Sequence, residues 1–272
     1  KTGEIPQEGR MPRTVDYAKL VEFVAIRRKE SGGYGATRRL PATVEDTYEA
    51  VGLLAAVADQ ASVPVAPAND AALADYLARV QAKPWLGLAT TFQLLATCRR
   101  LGVAVDLARL RHYADSALTG SPGLETSYFV ARLAQEVAGE EPAAWLGQNP
   151  DLTLPERRSV SQVRMLVAAK TLLGQPIGQA EPLVAWLRQS QNGDGGFGFF
   201  PGTTSFIENC HSALAALALL GAKPAEPEEA RAFVVSCQTG RGGFARNPKA
   251  APFLDASWHA IRSLALLDLL GG

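Results

Sequence analysis

The sequence predicts an all-α fold, a closed (α/α)6 toroid of six helical hairpins with inner and outer rings of helices. Three observations carry that expectation. Three blocks superpose without gaps: FVAIRRKESGGY (23–34), WLRQSQNGDGGF (186–197) and FVVSCQTGRGGF (233–244), each running from an aromatic through a polar stretch to Gly-Gly-aromatic. An acid follows 13 residues after the first glycine of each pair, at Glu45, Glu208 and Asp255. The segments that then begin, such as SALAALALL and AIRSLALLDLL, are apolar on most faces and belong inside a packed structure.

Taken in order, the first helices of the six hairpins are expected over 16–30, 70–82, 105–116, 141–147, 181–191 and 227–238. The second helices are expected over 44–59, 88–101, 124–138, 158–173, 207–220 and 254–269. Glycine ends the first helix of a hairpin because it takes left-handed geometry at little cost. The second helices open on a shared pattern: aliphatic, acid, any, small hydroxyl or thiol, aromatic or His. It reads VEDTYEAV, LETSYFVA, IENCHSAL and LDASWHAI, with LATTFQLL and VSQVRMLV as degraded copies. The amphipathic first helices form the outer ring and the apolar second helices the inner one. ASVPVAPAND and GAKPAEPEE are Pro-rich connectors. Residues 1–15 read as an N-terminal extension or tag remnant, and 16–272 as a single toroid domain.

Composition narrows the function. Lys+Arg and Asp+Glu are 27 each, so no basic face for nucleic acid or an anionic membrane is expected. No apolar run is long enough for a membrane span. The 3 cysteines (Cys98, Cys210, Cys237) do not form a disulfide framework and fit a reducing, cytoplasmic setting.

The candidate chemistry sits where the inner helices open. Glu208, Cys210 and His211 open one of them, and Asp255, Trp258 and His259 open the next. A metal could draw on a thiolate and carboxylates. Against this, Thr47, Ser127 and Ser257 fill the slot of Cys210, which reads it as a small core residue. Glu45 and Glu125 share the slot of Glu208 and Asp255, which reads the acids as partners of the helix N-terminus. Tyr48, Phe92, Tyr128 and Trp258 share one slot and form either an aromatic wall or core packing. His112 reads as a surface residue. Cys237, at an outer-helix C-terminus, reads as structural.

The unit WLRQSQNGDGGF resembles the Gln-and-aromatic repeats of squalene and triterpene cyclases, with Phe197 in the Trp place. GDGGFGFFPGTTSFIENCHSALAALALLG is similar to the repeat of protein prenyltransferase β subunits, and the likeness spans nearly the whole chain. The resemblance implies a toroid whose central cavity takes an isoprenoid, either a prenyl diphosphate or a polyprene, with prenyl transfer or cyclisation as the reaction. It places Tyr48, Phe92, Tyr128, Arg164, His211, Trp258 and His259 along that cavity. It also implies a catalytic zinc set on Glu208, Cys210 and Asp255, where the family has Asp, Cys and His. The chain departs from the family in the loop FFPGTTSF, which carries no cation for a diphosphate. It also lacks the Asp-rich motifs of terpene synthases, and VEDT falls short of the acid motif of class II cyclases. A partner subunit completes the protein prenyltransferases. Two alternatives follow: a non-catalytic toroid binding an apolar ligand or a protein partner, and a glycosidase-like barrel using Glu208 and Asp255 as its two carboxylates.

Overall fold

The computed structural model describes residues 14–58, 71–85, 87–147, 150 and 152–271. The expected N-terminal extension lies almost wholly outside these residues, as does the whole of the connector ASVPVAPAND. The outer helices are α1 (Tyr17–Ala25), α3 (Ala71–Gln81), α5 (Leu107–Ala117), α7 (Pro142–Leu146), α9 (Ala180–Gln189) and α11 (Pro227–Ser236). The inner helices are α2 (Val44–Val57), α4 (Leu88–Arg100), α6 (Leu124–Arg132), α8 (Val160–Leu172), α10 (Ile207–Leu219) and α12 (Leu254–Gly271). α6 runs on into a π-helical segment, Leu133–Ala138.

The inner helices form a closed circuit. Each packs on the next from α2 round to α12, and α12 packs back on α2. Burial separates the two rings as the apolar patterning requires. In α10, Cys210, Ala213, Leu214 and Leu217 are buried together with the polar Asn209, His211 and Ser212, whereas α9 buries only Leu183 and Leu187. The inner helices sink most of their faces into the core, and the outer ones lay down a single stripe.

The glycine blocks are the joints. In each, a short antiparallel bridge folds the chain back after the outer helix, pairing Arg28 with Tyr34, Gln191 with Phe197 and Gln238 with Phe244. Gly32, Gly195 and Gly242 have φ of 102°, 85° and 91°. A Cβ on them would overlap the backbone of the next outer helix, at Ala72, Glu229 and Lys19 respectively. Glycine is therefore required twice, for its backbone angle and for the close approach.

A glutamine reinforces two of these joints. Gln191 accepts the Glu226 N–H at 3.0 Å and donates to the Glu226 and Gly195 carbonyls at 2.8 and 3.1 Å. Gln238 repeats the clamp on the first helix of the chain: it accepts the Asp16 N–H at 2.8 Å and donates to the Asp16 and Gly242 carbonyls at 3.0 and 2.9 Å. The ring is thus shut by the same joint that builds it.

Candidate functional site: the inner-helix mouth and the aromatic belt

The repeat slot that contains Cys210 has a defined task. The N–H of the aromatic after each glycine pair is buried and needs an acceptor. Tyr34 N–H donates to Thr47 Oγ1 at 3.0 Å, Phe244 N–H to Ser257 Oγ at 2.9 Å, and Phe197 N–H to Cys210 Sγ at 3.3 Å. Ser127 occupies the same slot in a hairpin with no glycine block before it, and its Oγ is buried with no partner. Cys210 is fully buried, and burial pushes its thiol well above the usual range despite the Phe197 N–H, which acts the other way.

The expected zinc set does not assemble. Cys210 faces the joint. Glu208 pairs with Arg246, and Asp255 Oδ1 lies 3.1 Å from His259 Nε2. Among the described residues, no group of three His, Cys, Asp or Glu side chains is placed to hold a metal ion. Cys210 Sγ accepts the Phe197 N–H, and the Glu208 carboxylate is taken up by Arg246. These residues do not fit the metal, and no reaction step is assigned to one.

The acids instead rim a cleft of about 430 Å³ where α2, α10 and α12 open, lined by Glu45, Asp46, Glu49, Glu208, Arg246 and Asp255 with Phe253 and Leu254. The side-chain cap of α2 is Thr43, which accepts the Asp46 N–H, so Glu45 makes no cap bond there. Neither does Glu208: the N-cap of α10 is Phe206, with no side-chain cap. Glu49 is only 4% exposed, and burial, then Asp255, Glu45 and Asp46, push its carboxyl up to about 9. It is a neutral acid at physiological pH. Burial, followed by Asp255 and Asp46, also raises Glu45, with His259 opposing. Arg246 is the cation of this cleft, paired with Glu208. It comes from the next repeat, stacks 3.9 Å over Phe206 and accepts the Ile207 N–H on its carbonyl.

One turn deeper lies a belt of aromatic rings. Tyr48 meets Trp258 at 5.8 Å and Phe92 at 6.2 Å; Phe92 meets Phe129 at 6.2 Å, and Phe129 meets Tyr128 at 5.0 Å. The slot that holds Tyr48, Phe92, Tyr128 and Trp258 in sequence also gathers them in space, across α12, α2, α4 and α6, with Phe129, which the slot does not include, linking Phe92 to Tyr128. Phe92 and Tyr128 are buried, and Tyr48 and Trp258 are partly buried.

Arginines hold the belt from beyond. Arg164 and Arg132 donate to Tyr128 OH at 2.7 and 3.1 Å, and Arg132 stacks 3.8 Å over Phe92. Sequence reasoning found Arg164 and missed Arg132, which sits one turn after Tyr128 on α6. The crevice between Tyr48, Trp258, Arg100, Glu136 and Arg262 measures about 60 Å³.

His211 and His259 join the belt. Their Nδ1 atoms are 2.8 Å apart, and His211 meets Trp258 edge-on at 5.1 Å. Burial first, then His259, Arg164, Arg262 and Arg132, hold His211 well below the usual histidine range, so it is neutral. His112 is exposed on α5, and Cys237 is a buried helix cap, both as expected.

Comparison with known proteins decides the family. The sequence profile of the prenyltransferase alpha-alpha toroid domain matches residues 8–99, 157–232 and 210–271. The chain belongs to the prenyltransferase α/α-toroid family. Among solved structures this family member is similar to a chain of Candida albicans protein geranylgeranyltransferase-I complexed with GGPP. The match has a TM-score of 0.56 at 13% identity and covers 96% of this toroid and 86% of that chain. At that identity the likeness speaks for the fold. No curated protein sequence matches the toroid. Among its described residues, no helix is long and apolar enough to cross a membrane.

Proposed function

We propose that this toroid handles an isoprenoid, with the partly buried rings of the aromatic belt, Tyr48, Phe129 and Trp258, as those that receive the chain. The observation that carries the reading is the continuity of the belt. Tyr48, Phe92, Phe129, Tyr128 and Trp258 form one linked run of rings inside a closed circle of helices. Such faces bind apolar chains and stabilise cationic carbon. Arg164, fixed on Tyr128, supplies positive charge for an anionic end group, whereas Arg132 is paired with Glu136. The solved neighbour complexed with GGPP adds support by analogy of fold. Prenyl transfer through a zinc thiolate is not part of this reading, because Cys210 serves the joint.

The test is a titration of the purified protein with geranylgeranyl diphosphate, geranylgeraniol and inorganic diphosphate, followed by tryptophan fluorescence. The expected result is saturable quenching by the two prenyl compounds that is lost in Trp258→Phe. Arg164→Met should weaken the diphosphate ester about tenfold or more and leave the alcohol unchanged. Absence of saturable binding by either prenyl compound overturns the reading.

A second reading, a protein partner, has its own observation. Phe199 and Phe200 are 51% and 47% exposed on the loop before α10. Phe200, with Trp186, Arg157 and Arg158, lines a groove of about 540 Å³, and Phe199 stacks on Phe200 at 5.9 Å. Exposed neighbouring aromatics of this kind mark interaction surfaces. Loss of a copurifying protein on Phe199→Ser plus Phe200→Ser, with prenyl binding intact, would favour it.

A further inference from the structure

Asp255, His259 and His211 lie in a line from the acidic cleft into the ring. Asp255 Oδ1 is 3.1 Å from His259 Nε2, and His259 Nδ1 is 2.8 Å from His211 Nδ1. His211 is 5% exposed, and among the described residues its Nε2 makes no hydrogen bond. We infer that these three residues form a proton relay whose receiving atom is His211 Nε2.

Hydrogen-bond logic fixes the resting protons. The carboxylate of Asp255 accepts only, so His259 Nε2 carries hydrogen. With His259 neutral, its Nδ1 is bare and must accept from His211 Nδ1–H. That leaves His211 Nε2 with a free lone pair. A proton taken up at Nε2 moves the Nδ1 hydrogen from His211 to His259. The positive charge then resides on His259 rather than on His211.

The charges around the two rings favour that transfer. His211 on α10 faces Arg132 from α6, Arg164 from α8 and Arg262 from α12, all of which oppose a cation there. His259 is beside Asp255 on its own helix, and Glu45 faces it from α2. The site accepts a proton at His211 Nε2 and stores the charge near the acids of the cleft.

The inference deepens the isoprenoid reading and rests on it for the proton's source. An allylic diphosphate that reaches the aromatic belt would ionise by breaking its C–O bond, the diphosphate leaving to Arg164, and the resulting carbocation would lose a proton from the carbon next to its cationic centre. The C–H electron pair would become the new double bond, and the proton would go to His211 Nε2. His211 would be the catalytic base, with His259 and Asp255 as positioning residues.

Ring 15N NMR tests the relay without any ligand, so its failure is separable from failure to bind an isoprenoid. The chain has 3 histidines, and exposed His112 is an internal reference. At neutral pH, His211 should show a pyrrole-type Nδ1 and a pyridine-type Nε2, and His259 the reverse. In Asp255→Ala, His259 loses its tautomer lock, and the Nε2–H form of His211 should rise from under ~10% to about half. On acidification of the wild type, both nitrogens of His259 should become pyrrole-type while His211 exchanges its Nδ1 hydrogen for one on Nε2. A resting His211 with hydrogen on Nε2, or tautomers unmoved by Asp255→Ala in a protein folded by circular dichroism, overturns the relay. If Asp255→Ala fails to fold, Asp255→Asn with the same readout replaces it. Its carboxamide oxygen still accepts from Nε2–H but carries no charge, so the tautomers should hold at neutral pH and the charge transfer to His259 on acidification should be lost. An unchanged acid response in that variant equally overturns the relay.

Discussion

The thiol of Cys210 accepts the backbone N–H of Phe197, 13 residues earlier, at 3.3 Å. Serine does the same for Phe244 through Ser257. Cys210→Ser should therefore keep the joint and change stability by less than ~1 kcal/mol, whereas Cys210→Ala leaves a buried N–H unsatisfied and should cost about 1–3 kcal/mol. Urea unfolding of the two variants checks this. Zinc content measured alongside should be the same in both as in the wild type, and stoichiometric metal lost with the thiol would refute this assignment of Cys210.

Gly195 and Gly174 both have positive φ, 85° and 63°, but only Gly195 presses against another element, the carbonyl of Glu229 on α11. Gly174 has open space around it. Gly174→Ala should cost about 1 kcal/mol from left-handed strain alone. Gly195→Ala adds displacement of α11, and the cost should exceed about 2 kcal/mol. Equal costs would show that the close approach of joint and helix carries no energy.

Glu49 gives stability a pH dependence of definite sign. Its carboxyl moves from an ordinary 4.5 up to about 9 on folding, so between those values the native state holds the proton that the unfolded chain has released. Its contribution is full below about pH 4.5 and is lost as pH rises through about 9. Glu49→Gln should remove that slope and stabilise the protein by roughly 1–3 kcal/mol near pH 7.5. Thermal unfolding across pH 5–9, wild type beside variant, reads both effects, and parallel curves would contradict the burial of this acid.

Gln238 ties the seam through the backbone of Asp16, as Gln191 ties an internal joint through Glu226. Gln238→Leu should cost about 1–3 kcal/mol, and Gln191→Leu a similar amount. Hydrogen exchange should show α1 opening first in Gln238→Leu and α11 opening first in Gln191→Leu.

Much of the fold was legible because the repeat encodes it. The glycine spacing marks the turn in three hairpins, the apolar helices mark the inner ring, and five of the six inner helices lie within two residues of their expected limits, while α6 reaches its limit only with the π-helical segment Leu133–Ala138. The first outer helix is shorter than expected, ending at Ala25, because the chain after it turns back to pair Arg28 with Tyr34. Four rings of the aromatic belt were legible through their shared slot, and Phe129, one position after Tyr128, was not. The site's polar half was less so. Arg246 reaches Glu208 from the following repeat, and His211 meets His259 across two helices, so both contacts depend on neighbouring hairpins rather than on spacing within one. Thr47 and Ser257 in equivalent positions already pointed to the structural role of Cys210.

The seam at Gln238 has one more implication. The final joint copies the one between α9 and α11, so the circle is closed by non-covalent contacts of the same kind as those within it. Rearranged genes that start at another hairpin, with the old ends linked, should encode the same molecule.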